Sequence, residues 1–160
     1  ISDIKKGLLN FRGVQRRFNK IFTYNKIDFY DDYAHHPTEI KVVLEGIKKV
    51  YEGYDKVCIF QPHRVSRLKD LKKEFSFAFK NADTVVLCPV YTAGEKIKLG
   101  FSYFNFAKEI IKNSKVKLFI VNDNKQLAIF LKKNMFGKKI VIGMGAGSIS
   151  NWMRKIPKLM

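Results

Sequence analysis

The chain has 160 residues, of which 46% are hydrophobic and 14% aromatic, a composition that suits one domain with a packed core and excludes a disordered chain. No apolar run approaches the roughly 18 residues that a membrane span needs, and no signal-peptide pattern is present. We therefore expect a cytoplasmic protein without a membrane partner. The first residue is Ile1 rather than Met, which favours a piece of a longer protein.

The formal net charge is +17, from 31 Lys and Arg residues against 14 Asp and Glu residues. Such an excess attracts anions, so a basic nucleic-acid-binding module is one class to consider. The lysines are spread along the whole chain, however, without an Arg-rich tract, zinc-finger spacing or an aromatic RNA-binding signature. Nucleic acid is therefore not the favoured partner, whereas nucleotide and carboxylate ligands suit the charge.

The first predicted elements are a short helix and a hairpin. An amphipathic segment ends at Gly13, and we interpret residues 1–16 as the remnant of a preceding domain or its linker. Two strands are predicted next, over residues 17–23 and 27–33, with a turn at residues 24–26. This hairpin would supply one antiparallel edge strand to a larger sheet.

From residue 37 onward, amphipathic helices alternate with short apolar strands. The first helical face comprises Ile40, Val43, Leu44, Ile47 and Val50. The same spacing recurs at Leu68, Leu71, Phe75 and Ala78, and again at Phe104, Ala107 and Ile111. Strands buried on both faces are predicted over residues 57–60, 84–88, 118–121 and 140–142.

This alternation predicts an α/β fold, with a Rossmann-like, doubly wound, mostly parallel sheet, one antiparallel edge strand and helices on both faces. Cys58 and Cys88 each lie inside a predicted strand, so we expect buried, inert thiols. No metal site is predicted, because no cysteine or carboxylate completes a familiar ligand spacing with the three histidines.

Polar and cationic side chains follow two of the predicted strands. His35 and His36 follow the second strand of the hairpin, and His63 and Arg64 follow the next strand, with Arg67 close behind. Ligands of open α/β sheets bind beyond the carboxyl ends of the strands, so this is the predicted site. An arginine can grip a carboxylate through two parallel hydrogen bonds.

The segment around Pro37 favours anion recognition. Pro37 suits the first position of a helix, which places Tyr33, His35 and His36 beside free amide N–H groups at the helix N-terminus. Asp31 and Asp32 are candidates for binding a ribose hydroxyl or a substrate ammonium. Capping or solvation at the strand end is an equally good reading for Asp31 and a weaker one for Asp32.

Two glycine-containing loops remain. GMGAGS, residues 143–148, lacks the Gly-Lys-Ser/Thr ending of a P-loop, so a tight turn is the favoured role. TAGE, residues 92–95, permits a sharp loop at Gly94, and Glu95 is predicted to be solvated unless it lines the cleft.

Taken in order, the motifs of this chain resemble the C-terminal domain of the Mur ligase family. They are FRGVQRRF (11–18), DDYAHHPTEI (31–40), FQPHRVSR (60–67), VYTAGEKI (90–97) and GAGS (145–148). Val65 and Thr92 depart from the usual pattern, where an aromatic residue and proline are common. Neither change alters a charged group.

The resemblance implies an ATP-dependent ligase of peptidoglycan synthesis, with residues 17–160 as its amino-acid-binding domain. The motifs are most similar to those of the member that joins L-alanine to the lactyl carboxylate of UDP-N-acetylmuramate. The member that recycles murein tripeptide is the alternative, because its pattern shares the histidine loop. Its pattern lacks the QPHR segment, which distinguishes it from this chain. The Asp-Asn-Pro-Arg motif of the diaminopimelate-adding member is absent.

The resemblance also assigns roles to residues. Arg17 would approach the ATP phosphates and Asp32 the nucleotide ribose, while Tyr33, His35, Arg64 and Arg67 would surround the incoming amino acid. Arg17 and His35 are the expected catalytic residues. The family's central domain would supply the P-loop and the Mg²⁺ ligands, and its N-terminal domain would hold the UDP group. The chain alone is therefore expected to be inactive.

Overall fold

The structure is a computed structural model, and it describes residues 15–96 and 102–160. The short helix expected before Gly13 lies outside the described residues. Within them, no helix is long and apolar enough to cross a membrane.

Six strands form one sheet in the spatial order β1-β2-β6-β3-β4-β5. Their bounds are Asn19–Tyr24 (β1), Ile27–Asp32 (β2), Asp55–Phe60 (β3), Thr84–Leu87 (β4), Lys117–Ile120 (β5) and Lys139–Met144 (β6). Only β1 is antiparallel to its neighbour, and the other pairs are parallel. The predicted mostly parallel sheet with an antiparallel edge strand is confirmed.

The edge hairpin turns at Asn25 and Lys26, whose φ angles are 50° and 63°. Two consecutive residues with positive φ match the twist of the flanking strands, and asparagine tolerates this conformation well. The Asn25 side chain also donates a hydrogen bond to the Met135 carbonyl, 3.1 Å away. The turn is thereby fastened to the body of the domain.

Six α-helices and one 3₁₀ turn cover the sheet in the described residues. They span Pro37–Val50 (α1), Val65–Asp70 (α2), Lys72–Ala78 (α3), Tyr103–Ser114 (α4), Asn124–Asn134 (α5), Ile149–Lys155 (α6) and Ile156–Lys158 (3₁₀). Pro37 is the first residue of α1, as predicted. The single helix predicted over residues 68–78 is instead two helices, which meet at Leu71.

Two apolar cores lie on opposite faces of the sheet. On one face α1, α3 and α4 contribute Leu44, Phe75 and Phe106, which pack with Phe60 of β3. On the other face α5 and α6 contribute Leu131 and Met153, among others, which pack with Phe29, Ile59 and Val141. Cys58 and Cys88 are buried on opposite faces, as predicted, and burial raises the pKa of the Cys88 thiol to about 12.

Three burial predictions were wrong, and the first concerns Val50 of α1, which is exposed although its spacing placed it on the apolar face of the helix. Strand β5 is largely exposed, because it is the edge strand and pairs only with β4. Helix α4 buries Phe106, Ala107 and Ile110, while the predicted core residues Phe104 and Ile111 are exposed. Apolar residues occur on both sides of this helix, so its spacing alone does not define the inner face.

Leu44 and Val50 provide a matched test of the α1 packing. Leu44 is 0% exposed and Val50 is 76% exposed on the same helix. We expect Leu44→Ala to lower the free energy of unfolding by about 2–5 kcal/mol, because it removes buried methyl groups and leaves a cavity. Val50→Ala should change it by less than about 0.5 kcal/mol. Urea unfolding followed by circular dichroism would measure both, and equal effects would contradict the packing.

Candidate functional site

The carboxyl ends of β2, β6 and β3 lie level with one another. Met144 of β6 is in register with Asp32 on one side and with Phe60 on the other. The segments that follow these three strands therefore begin at the same height. The segment after β4 joins them, since a further parallel bridge links His63 and Tyr91.

A row of rings runs across this edge of the sheet. The Tyr33 and His35 ring centroids are 5.3 Å apart, and those of His35 and His63 are 5.7 Å apart. The His63 ring then stacks on Tyr91 at 5.5 Å. Arg67 also contacts the His63 ring, with its Nη1 3.4 Å from His63 Nδ1. The structure thus brings together three predicted site residues, Tyr33, His35 and Arg67.

Arg64 is exposed and lies where the His63 segment enters α2. Its φ of 69° is unusual for a residue with a Cβ, and its N–H donates to the Tyr91 carbonyl at 2.9 Å. Glu95 supports the same junction by accepting hydrogen bonds from the Ser66 amide at 3.0 Å and the Ser66 hydroxyl at 2.6 Å. These bonds lower the pKa of the Glu95 carboxyl, which is a helix cap rather than a merely solvated group.

The histidine loop is fixed by a capping box at the start of α1. His36 accepts a hydrogen bond from the Thr38 amide, and Glu39 accepts from the amides of His35 and His36. Burial alone would raise the pKa of Glu39, but these bonds outweigh it and the pKa is lowered. His35 Nδ1 lies 3.0 Å from the Tyr33 carbonyl. His36 therefore caps the helix, while the His35 ring faces His63.

Arg17 and Asp32 line one cleft of about 740 Å³ beside α1. The Arg17 side chain is exposed. Asp32 is buried and accepts hydrogen bonds from the Phe18 and Ala34 amides, each at 2.8 Å. Burial, reinforced by the neighbouring Asp31 charge, raises the pKa of Asp32 despite these bonds. The two predicted nucleotide-binding residues are brought together, although Asp32 also holds the entering chain.

Asp31 points to the opposite face of the sheet and is fully buried. It accepts a hydrogen bond from the Ser150 hydroxyl, and its Oδ2 lies 3.8 Å from Arg16 Nε and 3.6 Å from an Arg154 guanidinium nitrogen. Both oxygens of the Asp31 carboxylate are therefore shielded from solvent. Asp31 pairs with the partly buried Arg16 and with Arg154, whose side chain is half exposed, and its complete burial favours a structural role over binding of a ribose or an ammonium.

Sequence reasoning missed Arg16. Its guanidinium donates to the Gly145 carbonyl and lies 4.6 Å from the centre of the Tyr33 ring. Its carbonyl also accepts a hydrogen bond from the Tyr33 amide at 2.7 Å. Nothing in the adjacent pair Arg16 and Arg17 indicates which arginine turns inward. A buried carboxylate requires a cation nearby, so the acid at position 31 was the one available signal that an arginine turns inward.

The glycine loop after β6 is packed tightly against the other loops. A Cβ at Gly147 would lie 2.5 Å from Tyr91 Cγ and 2.7 Å from Gln61 Oε1. Gly145 has a φ of 149° and also approaches the Gln61 backbone. The Gln61 side chain bonds Ser148 and the Ile149 amide. These close approaches support the predicted turn.

Gly147 and Gly46 form a matched pair of substitutions. We expect Gly147→Ala to lower the free energy of unfolding by about 1–3 kcal/mol, because the new methyl group displaces Tyr91 and Gln61. Gly46→Ala meets no atom within 4 Å inside α1 and should raise stability by up to about 1 kcal/mol. Thermal or urea unfolding measures both. A neutral Gly147→Ala would show that the loop has room to spare.

No group of three or more His, Cys, Asp and Glu side chains in residues 15–96 and 102–160 is arranged to hold a metal ion. The acids nearest the site are already engaged. Asp31 and Asp32 bond protein groups, and Glu39 and Glu95 cap helices. The described part of the chain therefore offers no carboxylate cage for Mg²⁺.

Known proteins share this sequence and architecture. The family model for the Mur ligase, glutamate ligase domain, matches residues 16–147. The UDP-N-acetylmuramate–L-alanine ligase of Pelagibacter ubique is 69% identical over 157 residues, which are 98% of this chain and 34% of that protein. The same enzyme from Bartonella bacilliformis is 38% identical over 160 residues, with 99% and 34% covered.

Solved structures share the fold of this chain. The UDP-N-acetylmuramate–alanine ligase of Thermotoga maritima has a TM-score of 0.72 at 30% identity, covering 96% of this chain and 31% of that one. A murein peptide ligase from Psychrobacter arcticus has a TM-score of 0.74 at 18% identity, which shows a shared fold. The chain spans about a third of the length of the curated relatives it matches. On the match over residues 16–147, this chain belongs to the Mur ligase family.

Proposed function

We propose that this chain provides the amino-acid site of an ATP-dependent ligase that joins L-alanine to UDP-N-acetylmuramate. The observation that carries the proposal is the 69% identity to a UDP-N-acetylmuramate–L-alanine ligase over almost the whole chain. The grouping of Tyr33, His35 and Arg67 at one sheet edge supports it, because these side chains suit an amino-acid carboxylate.

The proposal places this chain within a three-domain enzyme. Residues 17–160 are the C-terminal domain, and residues 1–16 are the end of a central domain or its linker. The central domain would supply the P-loop, the Mg²⁺ ligands and most of the ATP site, and the N-terminal domain would hold the UDP group. Because the reaction consumes ATP and a nucleotide-linked sugar, we assign it to the cytoplasm.

The proposed reaction has two steps. ATP phosphorylates the lactyl carboxylate, and the alanine amine then attacks the resulting acyl phosphate through a tetrahedral intermediate that expels phosphate. In this scheme Arg64 and Arg67 bind the alanine carboxylate, and Tyr33 and His35 lie beside it. Their contribution is to place the amine near the acyl carbon, which lowers the entropic barrier of the attack.

Negative charge develops on the phosphate and on the tetrahedral oxygen during these steps. Arg17 would face the phosphates from the cleft that it shares with Asp32, and Asp32 would accept from a ribose hydroxyl. Each carboxylate oxygen has two acceptor positions, and the backbone amides occupy one on each oxygen of Asp32. Arg17 and His35 are the residues to which we assign a catalytic role.

The substrate requirement of the full-length ligase is the first test. We expect sustained ADP formation only when UDP-N-acetylmuramate and L-alanine are both present. The lactyl carboxylate of the sugar must accept the phosphoryl group from ATP, and the alanine amine must then consume the acyl phosphate before another turnover begins. Coupled ADP release measures this requirement. Turnover with a murein tripeptide and without alanine would contradict the proposal and identify the tripeptide-recycling ligase instead.

Arg64→Ala and Arg67→Ala test the amino-acid site in the same enzyme. One charge-assisted hydrogen bond contributes about 1.5–3 kcal/mol, so each variant should raise the KM for alanine by about 10- to 150-fold. Lys69→Ala is the matched control, since it removes an exposed positive charge from the same helix. An unchanged alanine KM in both arginine variants would remove them from the site.

A further inference from the structure

His63 joins the two halves of the candidate site. Tyr33 and His35 come from the loop after β2, and Arg64 and Arg67 belong to the segment after β3. The His63 ring lies 5.7 Å from the His35 ring and its Nδ1 lies 3.4 Å from Arg67 Nη1. Tyr91 closes the other side by stacking on the ring at 5.5 Å. The residue therefore occupies the centre of the predicted amino-acid site.

The contact with Arg67 fixes how the His63 ring is protonated. A guanidinium is always charged and can only donate, so His63 Nδ1 must accept. The ring proton then resides on Nε2, and the imidazole is neutral. A protonated ring would turn an N–H toward the guanidinium and lose the bond.

The surroundings of His63 favour the same neutral form. Burial lowers the pKa of His63 first, and the charges of Arg67, His35 and Arg64 lower it further, while Glu95 acts in the opposite direction. Glu95 is held by the Ser66 amide and hydroxyl. The groups that face the ring are thus predominantly cationic.

We propose that His63 is a positioning residue that orients the Arg67 guanidinium toward the carboxylate of the incoming amino acid. This inference rests on the proposed function. In residues 15–96 and 102–160, no Asp or Glu forms an ion pair with Arg67. A neutral acceptor holds the guanidinium without cancelling its charge, which leaves its remaining N–H groups for an anion.

Three substitutions at His63 separate orientation from packing in the full-length ligase. Asn places its Oδ1 where Nδ1 stood, Gln extends its polar group to the position of Nε2, and Leu removes both. We expect His63→Asn to keep the alanine KM within about 3-fold of wild type. His63→Gln and His63→Leu should raise it by about 10-fold or more, with the KM for ATP unchanged in all three.

The pH dependence gives a readout that packing alone would not alter. As pH falls through the lowered pKa of His63, the ring gains a proton, ceases to accept from Arg67 and repels it. The alanine KM of the wild type should therefore rise at acidic pH, below the ordinary imidazole pKa of about 6.5, relative to that of His63→Asn, which has no such proton to gain. His35 is present in both enzymes, so the difference between them isolates His63.

The control is His36→Asn. Asparagine is a good helix N-cap, and position 36 lies outside the row of rings, so this variant should leave the alanine KM unchanged. The inference is overturned if His63→Asn is impaired as much as His63→Gln, or if both retain the wild-type KM and pH profile. Comparing Asn with Gln also decides the question if His63→Leu does not fold. A wild-type enzyme that forms no ADP with alanine and the UDP-sugar would instead overturn the proposed function.

Discussion

The parallel pairing of β6 with β2 on one side and β3 on the other determines where the loops of the candidate site begin. Met144 is in register with both Asp32 and Phe60, so the three strands stop at one level. The pairing continues just beyond the strands, where the Gly145 amide donates to the Asp32 carbonyl at 3.3 Å and the Gln61 amide to the Met144 carbonyl at 3.0 Å. Three loops from distant parts of the chain therefore begin side by side, which a site assembled from several loops requires.

The main features of this edge could be predicted from the sequence because they depend on local patterns. Apolar runs predicted the strands, Pro37 predicted the start of α1, and the polar residues after the strand ends indicated where a candidate site lies. The details that failed depend on contacts between distant segments. The choice between Arg16 and Arg17 is decided by Asp31, and the buried face of α4 by the sheet beneath it. Neither partner is visible in a window of neighbouring residues.

The role of His63 shows the same division. The sequence places it in the loop after β3, but the tautomer that we infer depends on Arg67 one helical turn later and on rings from two other loops. Some lysines, by contrast, have ion-pair partners within the protein. Lys56 and Lys139 pair with Asp83 and Asp55 at 2.9 and 2.7 Å, at the amino ends of the strands, far along the sheet from the histidines.

The attachment of the entering chain has a mechanical consequence. Residues 16–18 are pinned beside the cleft by three bonds: Arg16 to Gly145, the Tyr33 amide to the Arg16 carbonyl, and the Phe18 amide to Asp32. These bonds hold Arg17 and Phe18 against the strand that carries Asp32. This wall of the cleft is therefore part of the same body as the sheet, and it would shift with the sheet rather than as a separate arm.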